Sequence, residues 1–565
     1  MRARLLVATD FARHGLGNDR IDVLERTRPL REPPPNGTIG TVHLDLQDGV
    51  VALGLILAVA TMLAVAPTLR IPYPILLVLG GLAIGVFPGM PQFELDPQLV
   101  FFGVLPPLLY GAAFFTSLRE LRTNVRPIGL LAIGLVAVTT VGVAFVAHTF
   151  IDDLSWSSAF VLGAIVSPTD PLAASSIARR LGVPRKLVTI VEGESLVNDG
   201  TGLVLYRVAL AAVVAGSFSA SYTGGLFVVS AGGGIAVGLA VGWLVRQVRR
   251  RLDNPPAEIT ISLMTGYVAF IPADLMGVSA VLAAVTAGVY LGWYTPELTT
   301  AQVRLQGVAV WEIVQYLLNA LLFVLVGLQL PVVIDALGGF STATLIGYAA
   351  LVSLTVIVLR FIWVFAVLHA PKWIARRVSN WRGAVFLSWA GMRGAVSLAA
   401  ALALPLETDA GAPFPGRALI LFLTFSVILA TLVGMGLTLP AVIRVLGLED
   451  DGVEDRQDAK ARIQAAEAAL ARLEELVDEE WVREDTAERM RGAYRFRTNR
   501  FRARLDDGDD GAIESRSQDY QRLRRELLAA ERQALVDLRR SGTISNDVWL
   551  RVGRDLDLED ERLDI

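Results

Sequence analysis

The chain repeats one pattern: apolar segments of about 17–25 residues, each long enough to cross hydrocarbon as a helix, separated by short polar stretches. They fall at 49–69, 73–89, 98–115, 126–150, 156–178, 187–214, 224–246, 258–273, 277–294, 309–331, 343–369, 383–405 and 417–446, about thirteen in all. The expected fold class is an all-α polytopic membrane protein.

Loop charge supports the count. Alternate loops carry Arg70; Arg119, Arg122 and Arg126; Arg179, Arg180, Arg185 and Lys186; Arg246, Arg249, Arg250 and Arg251; Arg304; and Lys372, Arg376, Arg377 and Arg382. The loops between them, such as "GMPQFELD", "IDDLS" and "LETDAGAPF", carry no Lys or Arg. One miscounted span would scramble that alternation. The positive-inside rule then puts the C-terminus in the cytoplasm and the N-terminus outside, as in a multi-pass protein of the cell membrane. Residues 1–48 form a polar, Arg-rich extension with the breaker run "REPPPNG", and disorder is expected there. Its arginines fit the outer face poorly, a conflict that a start codon placed too early would remove.

Beyond the last span the pattern changes. In "AKARIQAAEAALARLEELVDEEWV", Ile463, Leu470 and Val477 recur at seven-residue spacing with Ala466 and Leu473 between them. "YQRLRRELLAAERQALVDLRRSG" repeats the amphipathic pattern and ends at Gly542. Residues 450–565 therefore read as a soluble, cytoplasmic helical domain whose halves are separated by "LDDGDDG". A packing or dimer-contact role is the plain reading, and a regulatory role the sharper one.

Composition narrows the classes. The chain of 565 residues is 53% hydrophobic, with a mean hydropathy of +0.52 and a net charge of −4. Nothing favours nucleic acid as a partner. There is no cysteine, which removes thiol catalysis and thiolate metal sites. The four histidines, His14, His43, His148 and His369, are scattered. No cofactor and no enzymatic activity are expected.

Three polar stretches interrupt the apolar spans. In "VEGESLVNDGTG", Glu192, Glu194, Asn198 and Asp199 fall within eight positions. A carboxylate at the bilayer centre costs about 2.5–3.5 kcal/mol on insertion scales. At 100° per residue, Glu194 and Asn198 share one helical face, and Ser195 and Asp199 share the adjacent one. Glu192 lies nearer the cytoplasmic end, within reach of water. In "VSPTDPLAA", Pro168 and Pro171 bracket Thr169 and Asp170. Both prolines lack an N–H, so carbonyls are left unpaired at bilayer depth and must line a cavity or bind something. Freed carbonyls, a hydroxyl and a carboxylate are hard oxygen ligands that suit a small dehydrated alkali cation. In "SWAGMRGAVSLAAALALP", Arg393 lies mid-span between Gly391 and Gly394, and Arg360 is also deep. Both need partners, and Glu194, Asn198, Asp170 and Asp199 are available. Asp274 and Glu312 read as interfacial or cavity residues, and Arg207 as a solvated span end.

The proline-broken segment is the fifth span and the arginine segment the twelfth. If spans one to six and eight to thirteen are two repeats of opposite topology, these segments correspond. Interrupted spans at matching places in two halves point to a transport site near the midplane.

The motifs "SPTDP", "EGESLVNDGTGLVLY" and "GMRGAVSLAAALALP", in this order, resemble those of the monovalent cation/proton antiporters of the sodium/proton exchanger type, in the branch with an Asn-Asp pair. "LPPLLYGAAFFTSLRELRTNVRPI" and the ending "RVGRDLDLEDERL" resemble the same family. The resemblance covers roughly 49–446. It implies a homodimer, with a dimerisation domain and a core domain in which two discontinuous helices cross. It assigns Asp199 as the cation- and proton-binding carboxylate, with Asp170, Thr169 and Ser195 completing the shell around the alkali ion. It pairs Glu194 with Arg393 and Asn198 with Arg360 as structural ties. Asn198 implies electroneutral exchange of one cation for one proton. Many relatives carry an acid where this chain has Gly111.

The expected function is secondary active antiport of a monovalent cation, Na⁺ first with Li⁺ and K⁺ as alternatives, against H⁺. A carboxylate that holds either a cation or a proton, but not both, couples the two fluxes. A cation channel and a sodium-coupled symporter are the competing classes. A channel filter would draw on repeated loops, which are not seen. A symporter would need a larger organic pocket.

Overall fold

In a computed structural model, residues 46–69, 72–87, 99–214, 220–369, 380–408, 411–449, 452–503, 505, 512–561 and 563 are described. The polar extension up to residue 45, the basic residues Arg70, Lys372, Arg376 and Arg377, and nearly all of "LDDGDDG" lie outside them. By internal contacts the chain divides after Leu57, within the first helix, and the packing and site described below are those of the unit Ala58–Ile565.

The helices are α1 (Leu46–Leu69), α2 (Tyr73–Gly85), α3 (Leu105–Phe114), α4 (Leu118–Thr123), α5 (Val125–Gly129), α6 (Val136–Phe150), α7 (Trp156–Val166), α8 (Leu172–Arg180), α9 (Arg185–Val214), α10 (Ala220–Arg249), α11 (Pro255–Leu275), α12 (Ala280–Leu298), α13 (Ala301–Asp335), α14 (Thr342–His369), α15 (Trp381–Trp389), α16 (Ala395–Leu402), α17 (Arg417–Leu429) and α18 (Gly436–Leu446). Short π-helical stretches lead into α3 and join α5 to α6 and α17 to α18. Four further helices follow: α19 (Val453–Leu476), α20 (Glu484–Ala503), α21 (Ala512–Arg540) and α22 (Asn546–Glu561). Each of the thirteen apolar segments maps onto a helix or a pair of helices. Among the described residues, six helices are long and apolar enough to cross a membrane by themselves: Val125–Phe150, Arg185–Val214, Val228–Arg249, Ala301–Asp335, Thr342–His369 and Arg417–Leu446.

Several helix starts follow from local chemistry. Ser155, Asn254, Ser279, Thr300 and Asn380 each accept a hydrogen bond from a backbone N–H in the first turn of the helix they precede. The two breaks follow equally directly. The fifth segment divides into α7 and α8 around Ser167–Pro171, and the twelfth into α15 and α16 around Ala390–Gly394. Prolines bracket the first break, and glycines punctuate the second.

Two sets of helices pack tightly within themselves. α3, α10, α11 and α12 form one, with α13 lying along α2 and touching α3 and α11. α6, α7, α9, α14, α16 and α17 form the other, with α8 against α9 and α18. The broken helices belong to the second set.

After α18 the buried side chains become few. α19 meets α20 through Ala459, Ile463 and Phe501, with Leu505 at the edge. Ion pairs Arg491–Glu474 at 2.8 Å and Arg502–Glu467 at 2.5 Å flank that contact. Arg491 holds the Glu474 carboxyl below its ordinary value, chiefly through its hydrogen bond. Arg532 joins α21 to α22 by pairing with Asp557 and Asp560 at 2.9 and 2.8 Å.

Candidate functional site

The two breaks touch each other. The backbone N–H of Asp170 donates to the carbonyl of Met392 at 2.8 Å. The Asp170 carboxylate accepts from Leu172 N–H at 2.9 Å and from Ala395 N–H at 3.4 Å. These are the first residues of α8 and α16, so one carboxylate caps two half-helices whose dipoles favour negative charge there. Gly394 makes this possible, because a Cβ at that position would collide with the Asp170 side chain.

α9 passes beside the crossing and presents its two faces as the 100° arithmetic predicts. On one face, Glu194 accepts from Arg360 Nη1 at 2.5 Å and from Nη2 at 2.9 Å. Thr169 Oγ1 donates to Glu194 at 3.2 Å and accepts from Asn198 Nδ2 at 2.8 Å. Thr169 thus bridges the acid and the amide. On the other face, Ser195 and Asp199 are 5% and 8% exposed, and neither side chain hydrogen-bonds any described residue. Both line a cavity of about 470 Å³ together with Thr169, Asp170, Pro168 and Pro171. At one end of the cavity stand two partly exposed ion pairs, Arg179–Glu192 at 2.7 Å and Arg185–Glu120 at 3.6 Å.

The arginine pairing differs from the expected one. Glu194 is bound by Arg360 and not by Arg393, and Asn198 bonds Thr169 and not Arg360. The broken backbone explains the exchange. Arg393 sits inside the second break, where its own side chain meets carbonyls that the breaks leave free: Nε donates to Val166 O at 3.0 Å, and Nη1 donates to Gly391 O. Its backbone N–H donates to Thr431 Oγ1 at 3.1 Å. Arg360 comes from the unbroken α14, passes over Gly391, where a Cβ would strike it, and reaches Glu194. It also donates to Leu387 O at 3.0 and 2.8 Å.

Arg207 is likewise not a free span end. It pairs with Asp274, and its Nη1 donates to Val278 O at 3.1 Å, which ties α9 to the turn between α11 and α12. Among the cavity residues that escape the sequence reading are two amides, Gln315 and Asn319 of α13. Their signal was available: two amides four apart inside an apolar span. Among the described residues, no group of three or more His, Asp or Glu side chains could hold a metal ion.

Residues 54–445 match the family model for the transmembrane domain of sodium/hydrogen exchangers. The chain is 38% identical over 528 residues to an uncharacterized Na⁺/H⁺ exchanger of Mycobacterium tuberculosis, covering 91% of this chain and 96% of the relative. It is 31% identical over 514 residues to a Na⁺/H⁺ antiporter of Aphanothece halophytica, covering 89% and 95%. It is 35% identical over 385 residues to a sodium, potassium, lithium and rubidium/H⁺ antiporter of Bacillus subtilis, covering 66% and 57%. In fold it resembles a sodium proton antiporter from Methanocaldococcus jannaschii, with a TM-score of 0.57 and 22% identity, over 71% of this chain and 98% of that one.

Proposed function

The chain belongs to the sodium/hydrogen exchanger family, and on that premise we propose that it is a secondary active antiporter that exchanges a monovalent cation for H⁺ across the cell membrane. The observation that carries this reading is the state of Asp199. Glu194, Arg360, Arg393 and Asp170 are tied to protein, whereas Asp199 lines the cavity with no hydrogen-bond or ion-pair partner among the described residues. A buried bare charge is unfavourable, so this carboxylate takes up either a proton or an alkali cation. Ser195, one turn away on the same face, adds a neutral oxygen. Asp170 adds negative potential while holding the two half-helices together. Thr169 has a carbonyl to offer, since its hydroxyl is occupied by Glu194 and Asn198.

The cycle follows from that competition. Na⁺ is the leading substrate, with Li⁺ and K⁺ next. One cation leaves Asp199 as one proton binds, so exchange is electroneutral. The apolar segments between 49 and 446 are read as thirteen spans, with two inverted repeats of six. The set containing α7, α8, α15 and α16 is the moving core, and the set around α10–α13 is the dimer-forming scaffold of a homodimer. By the positive-inside rule, the Arg179 and Arg185 end of the cavity opens to the cytoplasm. Residues 450–565 are read as a cytoplasmic helical domain for packing or dimer contact, with regulation as the alternative, and 1–48 as a polar extension. The test is proteoliposomes loaded at one pH and diluted into another. Proton movement on adding Na⁺, without need of a membrane potential, is expected. Cation flux with no counter-moving proton would overturn the reading.

A further inference from the structure

The part of the cavity lining that comes from α13 also carries polar chemistry, and the exchange cycle leaves it unused. Trp311, Gln315 and Asn319 are four apart on α13 and so share one face. Trp311 is buried and fixed, its Nε1 donating to Ser262 Oγ at 3.1 Å. Gln315 and Asn319 line the same cavity as Ser195 and Asp199. The side chain of Gln315 hydrogen-bonds no described residue. Asn319 is 6% exposed, and its Nδ2 donates back to the carbonyl of Gln315 at 2.8 Å. That bond fixes which end of the amide is committed and leaves Oδ1 without a donor among the described residues. A third residue makes the arrangement possible. A Cβ on Gly111 would collide with Gln315 Nε2 and lie 2.9 Å from the Trp311 ring. The missing side chain of α3 is what admits the amide of α13.

Resting on the antiport reading, we propose that the amide oxygens of Gln315 and Asn319 are neutral ligands for the transported cation, supplied by the scaffold wall, and that they set which alkali ion is preferred. The chemistry suits the role. An amide oxygen can replace a water of hydration without adding charge, so it changes the energy of the cation-bound form and not that of the protonated form. The number and dipole strength of such oxygens act differently on Li⁺, Na⁺ and K⁺, because the three differ in hydration energy and radius. Asp199 then supplies the charge for which proton and cation compete, and α13 supplies discrimination among cations. The two contributions come from different helix sets.

The experiment compares full-length wild type with Gln315→Ala, Asn319→Ala and Gly111→Ala in proteoliposomes, measuring KM and maximal rate for Li⁺, Na⁺ and K⁺ at fixed pH. The expected result is a rise in KM for Na⁺ of ~3–10-fold, a maximal rate within ~2-fold of wild type, and a changed ratio among the three cations. Gly111→Ala leaves both amides in the sequence and pushes Gln315 aside, so it moves the ratios in the same direction as Gln315→Ala. It therefore keeps the test decisive if either amide deletion gives little folded protein. KM values that are unchanged, or scaled by one common factor for all three cations, overturn the proposal while leaving antiport standing. A wild type with no cation-driven proton movement overturns the antiport reading itself.

Discussion

Arg360 donates two hydrogen bonds to the carboxylate of Glu194, and each side chain is 1% exposed. The partners are 166 positions apart and come from α14 and α9. Removing one partner leaves the other charge buried and uncompensated, a loss of ~3–5 kcal/mol. Arg360→Ala is expected to lower folded yield and thermal stability in detergent by that order. Glu194→Ala should do the same, and the double variant Glu194→Ala with Arg360→Met should recover much of the loss. A double variant as unstable as the sum of the singles would show that the pair is not the unit.

Asp199 behaves in the opposite way, because its side chain has no bonded partner among the described residues. Asp199→Asn is expected to abolish cation-driven proton movement while yield, elution volume and thermal stability stay at wild-type values. Full exchange by this variant would remove the carboxylate from the mechanism.

Gly394 should be as intolerant of substitution as any charged residue here. A Cβ there overlaps the Asp170 carboxylate, which caps two half-helices. Gly394→Ala is expected to destabilise by ~1–3 kcal/mol or more, within the usual range for overpacking. Gly434→Ala is the control, since a Cβ there meets nothing within 4 Å. Equal stability of the two variants would contradict the crossing geometry.

The ion pair Arg207–Asp274 is partly exposed, at 33% and 25%, so its worth is ~0.5–1 kcal/mol. Its location gives it a second readout. Asp274→Ala should raise amide hydrogen exchange in the turn at 276–279, and the charge-reversed pair Arg207→Asp with Asp274→Arg should restore protection. Unaltered exchange in the single variant would mean that the turn is held by Ser279 N–H on Ser230 O instead.

The Glu474–Arg491 tie has a definite pH sense. Arg491 holds the Glu474 carboxyl below its ordinary value, so its contribution is fully present above the unfolded-state value of ~4.3. It is lost as pH falls through the lower folded value. Exchange protection of α20 should hold constant from neutral pH down to about 5 and weaken only in acid. In Glu474→Gln that acid step should shrink.

The sequence carried the elements and the site's outline for identifiable reasons. Apolar runs of membrane length located the helices, and Pro168, Pro171, Gly391 and Gly394 located the breaks. One rotation angle separated the Glu194 face from the Asp199 face. Partner choice was not legible. Two buried arginines and two acceptors allow more than one pairing, and the deciding fact was which carbonyls the broken helices leave free for Arg393. Gln315 and Asn319 were missed because an amide in an apolar span carries no charge to raise the alarm. Arg207 and Asp274 look unrelated at a separation of 67 residues.

The contact between the breaks has a consequence for how the site will look to genetics. The bond from Asp170 N–H to Met392 O uses no side chain. Replacing either residue with alanine keeps both atoms, and among the encoded amino acids proline alone deletes the donor. A saturation screen would therefore score Met392 by its thioether and Asp170 by its carboxylate, and the backbone link would register only in Asp170→Pro, which removes the carboxylate as well. An amide-to-ester exchange at position 170 is the perturbation that reaches the link alone.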